Sequence, residues 1–316
     1  MASSADEIID RRRLRRKLTF WRVLAIGVAA VAIIGGALLA RGGDSENQMV
    51  DHIAKIRIDG TITEDEELLA RLEAVRNAKN VKGVMLSIDS PGGTTAGGEA
   101  IFDEVRLLAK EKPVVAQVGT LAASAGYLIA SASDHIVARK TSIVGSIGVL
   151  IQYPDVTGLM DKVGVKLDGV KSSPLKAEPS PFNPTTDEER AALRSMIMDS
   201  YDWFVGIVDE RRPLTHDEAL ALADGRVYTG RQALGLKLVD SLGGEREAVD
   251  WLKTKDVPEG LEVIEWEKPD NRSFFQRAMG ASVTTLGQSV LTQEVAKTLG
   301  VDRMFLDGLV SVWQPE

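Results

Sequence analysis

The pattern of apolar and polar positions divides the 316-residue chain into three unequal stretches. Val23 to Ala40 runs for eighteen residues without a charge, long enough at about 1.5 Å per residue to cross most of a bilayer core of roughly 30 Å. From His52 onward, apolar runs of strand length alternate with segments whose apolar residues recur every three or four positions. After Gly244 this patterning weakens.

The middle stretch predicts strands over His52–Ile58, Val81–Ile88, Pro113–Val118, His135–Ala138 and Val165–Lys171. It predicts helices over Glu64–Asn80, Ala96–Leu108, Ala123–Ser131, Leu159–Val163, Thr186–Arg211 and His216–Ala223. Leu68, Leu69, Leu72 and Val75 carry the helical period in the first of these. Asp89 to Gly93 reads as a turn, Thr141–Val149 as a loop broken by Gly145 and Gly148, and Asp224–Tyr228 as a turn entering a short strand. Ser173–Pro184 holds four prolines and can be neither continuous helix nor central strand. Thr185-Thr186-Asp187-Glu188-Glu189 supplies a capping signal for the long helix that follows. Beyond Gly244, Glu245–Lys253 predicts a helix, Glu262–Trp266 a strand, and Ser273–Leu299 helices rich in small residues. Strands alternating with helices indicate an α/β domain with substantial parallel sheet.

Charge sharpens the reading of the first stretch. Met1–Arg22 holds seven Arg and Lys against three Asp and Glu, a net +4, so against the chain's −8 the remainder carries −12. Broad nucleic-acid binding by that remainder is disfavoured. A basic segment before an apolar one predicts a single membrane span over residues 23–40, with residues 1–22 cytoplasmic and the later chain on the far side. Trp21 would sit at the headgroup boundary. A cleavable signal peptide is the competing reading, but Leu38-Leu39-Ala40 before Arg41 is a poor cleavage site. Residues 41–50 are polar and glycine-bearing, as suits a tether to a folded domain.

With no cysteine, the chain has no disulfide and no thiolate metal site. His52, His135 and His216 are its three histidines; none has metal-ligand spacing, and all three read as capping or surface residues. The glycine-rich turn lacks a following Gly-Lys-Ser/Thr, so a phosphate loop is unsupported and no cofactor or metal is implied. The acids in Glu64–Glu67 and Asp187–Glu189 stand at predicted helix starts, where they stabilise the dipole.

The chemistry that remains is acyl transfer, which needs a nucleophile, a base and oxyanion donors. Ser124 lies among small residues, Leu121-Ala122-Ala123-Ser124-Ala125-Gly126-Tyr127, and without a plausible catalytic histidine a lysine is the natural base. Lys176, in Lys171-Ser172-Ser173-Pro174-Leu175-Lys176, is the candidate, with Lys171 as an alternative whose place at a strand end suits a structural or exposed role. A lysine acting as base must be partly neutral, its reference value near 10.4 brought down to roughly 7 or 8 by desolvation. Gly92 and Gly93 can bring a backbone N–H close to a carbonyl, and the N–H of Ala125 stands beside Ser124 at a helix start. Each feature alone also suits a plain structural role: a packed helix start, a solvated lysine, a turn.

Together with Gly145-Ser146-Ile147-Gly148-Val149, Asp224-Gly225-Arg226-Val227-Tyr228-Thr229-Gly230 and Gln232 to Asp240, these segments resemble the signal peptide peptidase A family. The likeness runs from about Ile53 to Gly244. It implies a Clp protease/crotonase-like α/β fold with repeated ββα units behind one N-terminal transmembrane helix. It further implies Ser124 as nucleophile, Lys176 as general base, Ser146 as the hydroxyl that orients the lysine, and the backbones of Gly93 and Ala125 as the oxyanion hole. This chain has Ala125 where the family usually has glycine, and the added methyl is expected to narrow the cleft. Pro174-Leu175 before the lysine also departs from the smaller or polar residues of the family.

On this resemblance, residues 51–244 form the protease domain and 245–316 an extension for packing or oligomer contact. Short members of the family are expected to form a homo-oligomeric ring, an octamer, in which serine and lysine come from neighbouring subunits. The expected substrates are remnant signal peptides at the bacterial inner membrane, with the catalytic domain extracytoplasmic and the anchor in contact with lipid. A catalytically silent membrane scaffold that binds peptides on the same fold is the alternative, and a phage-type head-maturation protease is a third, disfavoured by the anchor.

Overall fold

A computed structural model describes residues 20–28, 50–267 and 310–312. Residues 20–28 form an exposed helix, α1, in which the rings of Phe20 and Trp21 meet edge-on with centroids 6.2 Å apart. Only the first part of the expected span 23–40 falls among the described residues, and no helix among these is long and apolar enough to cross a membrane. The expected helices over Ser273–Leu299 lie outside the described residues.

Residues 51–267 and 310–312 belong to a second compact unit with a mixed α/β fold, consistent with a Clp protease-like architecture. Its sheet runs in the order β6 (Val227–Thr229), β5 (Ile143–Gly145), β3 (Val114–Ala123), β2 (Val81–Thr94), β1 (His52–Ile62) and β8 (Val263–Glu265). β4 (His135–Ala138) also pairs with β3, and with β7 (Ser241–Leu242). The ladders are parallel except where β6 meets β5 and where β9 (Val310–Val312) meets Gly92–Thr94 of β2.

β2 shows why the sheet is sandwiched: Val84, Leu86 and Ile88 enter one core cluster and Met85 the other, so both faces are apolar, as parallel strands covered on both sides require. The larger cluster lies under α2 (Glu66–Asn77), α3 (Thr95–Ala109), α4 (Ala125–Ser131) and the end of α6 (Asp187–Arg211). Ala248 and Leu252 of α9 (Glu245–Lys253), with Val257, close the smaller one. The cap of α6 forms as its sequence predicts: Thr186 Oγ1 accepts from Glu189 N–H at 3.3 Å and Glu189 Oε2 accepts from Thr186 N–H at 3.0 Å.

Three expectations are corrected. Asp89–Gly93 is not a free turn: β2 continues through it to Thr94, because past a register shift Thr61 and Ile62 of β1 pair with Gly92 and Gly93. The expected loop Thr141–Val149 contains β5, recruited by the end of β3. Val165–Lys171 is exposed and not a strand; its apolar alternation has no neighbouring strand to pair with among the described residues. Before it, α5 (Thr157–Val163) buries no residue. Beyond it, α7 (His216–Leu222) and α8 (Gly230–Gly235) complete the elements used below.

Candidate active site

Ser124 is the one residue on which the chain turns from β3 into α4. Its φ of 57° and ψ of −119° are unusual for a residue with a side chain and cost about 1–3 kcal/mol. Neighbouring backbone supports this strain: Ser124 N–H donates to Gly145 O at 2.8 Å, and Ser124 O accepts from Leu128 N–H at 2.9 Å. The residue is only 1% exposed. A strained strand-to-helix turn of this kind projects a serine hydroxyl from the end of a sheet.

Gly93 lies one strand away. Its backbone passes so close to β1 that a Cβ would overlap the Ile62 carbonyl, so glycine is obligatory. Gly92, at φ 105°, donates its N–H to Ser90 Oγ at 3.1 Å, while that hydroxyl donates to Gly60 O at 2.6 Å. Ser90 is fully buried, pairs in register with Ala122, and lies against Gly126, where a Cβ would sit 2.9 Å from Ser90 O. Sequence reasoning missed Ser90 because a serine before proline and glycine has the local chemistry of a turn. Its pinning role depends on β1, far away in the chain.

Ala125 is wholly buried, and a Cβ on Gly98 of α3 would come within 3.1 Å of the Ala125 methyl. The methyl therefore fills the space that Gly98 leaves open between α3 and α4.

Ser146 follows β5 at φ 52°, is 8% exposed, and donates its N–H to Arg226 O at 2.8 Å. A Cβ on the preceding Gly145, φ 101°, would lie 3.0 Å from the Tyr228 ring, so that glycine lets β6 pack closely. Gly93, Ser124, Ala125 and Ser146 thus gather at the carboxyl ends of β2, β3 and β5. Open α/β sheets characteristically place their ligand sites at that end.

Behind them, Tyr127 OH donates to Leu238 O at 2.8 Å, and complete burial raises its pKa. Arg212 makes a two-pronged pair with Asp240, at 2.7 and 3.0 Å, and Asp240 accepts from Ile136 N–H at 2.7 Å. These bonds tie α4, α6 and β4 to the segment before β7. Two histidines contradict their expected surface roles: His52 is fully buried and accepts from Trp266 Nε1 at 3.0 Å, and His135 bonds Ser241 Oγ at 2.9 Å with its pKa lowered by burial. Both rings stack on tryptophans of the 245–267 region, Trp266 and Trp251, which the local sequence did not signal. His216 is exposed, 3.2 Å from Asp209.

Lys176 is placed differently. It is exposed, and its backbone N–H bonds Ser173 O at 3.1 Å within its own loop. Nearby, Lys171 pairs with Glu178, whose pKa is lowered by the hydrogen bond from Lys171. A single chain therefore brings Gly93, Ser124 and Ala125 to the ends of adjacent strands, with Lys176 on an exposed loop.

A model of peptidase family S49 matches residues 106–257, and a Clp protease model matches residues 41–144. A provisionally named protease of Methanocaldococcus jannaschii is 39% identical over 204 residues, 65% of this chain and 66% of that protein. A provisionally named signal peptide peptidase SppA of Enterococcus faecium is 33% identical over 245 residues, 73% of this chain and 71% of that protein. Protease 4 of Haemophilus influenzae is 32% identical over 278 residues, 81% of this chain but 45% of its own length. The chain thus spans just under two thirds of the first relative and less than half of the last.

Proposed function

We propose that this chain, a serine protease belonging to peptidase family S49, cleaves peptide bonds through an acyl-enzyme on Ser124 with Lys176 as general base. The observation that carries this reading is the strained, backbone-supported turn at Ser124 between two close-packed glycine segments. In the proposed reaction the neutral Lys176 amine takes the Ser124 hydroxyl proton as Oγ attacks the scissile carbonyl. The N–H groups of Gly93 and Ala125 stabilise the oxyanion, and the resulting ammonium returns its proton to the leaving amine. Water, deprotonated in the same way, then releases the acyl group. Ser146, on the turn after β5, is assigned to orient the lysine. The edge at Gly92–Thr94 carries β9 antiparallel to it, which supports an extended peptide as substrate and strand addition as its mode of binding.

A lysine acts as base only where it is desolvated, and Lys176 is exposed in the single chain. We therefore assign completion of the site to assembly: in a homo-oligomeric ring, taken as an octamer, Lys176 of one subunit reaches Ser124 of the next. Support comes from Leu159, Val163, Val165, Leu167 and Val170, an exposed apolar series on the segment that precedes the lysine. The uncharged run 23–40 is assigned as a single membrane anchor behind a cytoplasmic basic segment, which sets the catalytic domain outside the inner membrane. Remnant signal peptides at that membrane are the proposed substrates, and repeated ββα units the proposed description of the fold. Labelling of the assembled protein by a fluorophosphonate, together with peptide cleavage, tests the reading. Wild type should be labelled, while Ser124→Ala should lose label and turnover by a factor on the order of 10⁴ or more. An unlabelled wild type would favour the silent scaffold.

A further inference from the structure

The loop that carries Lys176 closes on itself. Lys176 N–H donates to Ser173 O at 3.1 Å, Glu178 N–H to Leu175 O at 3.3 Å, and Ala177 takes φ 60°, so Ser173–Glu178 winds through successive tight turns. At the neck, Lys171 Nζ is ion-paired and hydrogen-bonded to Glu178 Oε1. The two ends are unequally exposed: the Lys171 side chain keeps 32% of its surface, the Glu178 side chain 6%. The hydrogen bond from Lys171 favours the charged form of that carboxylate. The other groups facing it, the Ser180 backbone and the Asn183 side chain, are neutral, and Glu178 Oε2 makes no hydrogen bond.

We infer that Lys171 and Glu178 are positioning residues for Lys176, clamping the neck of its loop and keeping the loop's own carboxylate occupied. The inference rests on the reading of Lys176 as base. Its first physical consequence is geometric: a pinned neck restricts the conformations open to the six residues between, Lys176 among them. The second is electrostatic. A carboxylate two positions from a lysine stabilises the ammonium and opposes the neutral amine that catalysis needs. Bound to Lys171, the same carboxylate is locally neutralised.

The sign follows. Removing Lys171 leaves Glu178 negative, favours the protonated form of Lys176, and moves the acid limb of the kcat/KM profile to higher pH. Removing the carboxylate as well returns the limb. A purely structural pair would not show this reversal.

The test is the pH profile of peptide cleavage by the assembled full-length protein. Lys171→Ala should lower kcat/KM about tenfold near neutral pH and shift the acid limb up by about one unit. Lys171→Ala/Glu178→Gln should restore the limb, and Lys171→Arg, which keeps the ion pair, should stay within about threefold of wild type. A wild-type profile for Lys171→Ala, or a limb that stays displaced in the double variant, overturns the inference. Failure of the underlying reading looks different: turnover retained in Lys176→Ala but lost in Lys171→Arg would make Lys171 the base.

Discussion

Ser124 and Ser146 stand on turns whose backbone bonds cross to neighbouring strands, and both are nearly buried, at 1% and 8%. Residues 150–186 form a contrasting excursion that bonds to itself: Val156 N–H to Pro181 O at 2.9 Å, and Tyr153 OH to Thr185 Oγ1 at 3.3 Å. Its lysine is exposed and its helix α5 buries nothing. The difference follows from what each half must do. Strained backbone and aligned N–H donors persist only where packing over-determines them, so they belong to the sheet. Neutrality of a lysine demands desolvation, which a protruding loop of one chain does not supply.

The strongest way to break this contrast is Lys176→Ala. It should lower turnover by a factor on the order of 10³ or more while leaving the melting temperature of the isolated chain unchanged, because there the side chain is exposed. Mixing this variant with inactive Ser124→Ala should recover activity in joint assemblies. Absence of recovery would place serine and lysine in one subunit and end the comparison.

Gly93→Ala probes the opposite half. Its Cβ would overlap the Ile62 carbonyl, so chemical denaturation should show a loss of about 3 kcal/mol or more, with activity falling alongside. Near-normal stability would mean that the β1–β2 junction is softer than its packing indicates. The smallest effect on the fold is expected from Val163→Asp, at a position 63% exposed. Stability of the isolated chain should move by no more than about 0.5 kcal/mol. Light scattering should show smaller assemblies, and an unchanged assembly size would move the subunit contact away from α5.

Much of the buried half was legible. The apolar strands β1, β2 and β3, the entry of α4 at Ser124 and the capped start of α6 all depend on patterns within a dozen residues. Less of the surroundings was. Gly92 and Gly93 signal a turn locally, yet they prolong a strand because β1 runs beside them. Val165, Leu167 and Val170 signal a strand, yet that stretch lies exposed. His52 and His135 look like surface residues until tryptophans from beyond residue 250 stack on them.

By itself, the order of residues determined the α/β class and the helix start at Ser124, since periodicity and small size act over short range. Tertiary structure alone decided that β2, β3 and β5 end side by side, that Ser90 pins Gly92 to Gly60, and that the Ala125 methyl turns toward Gly98. Those outcomes depend on register and packing between segments tens of residues apart, which no local pattern encodes.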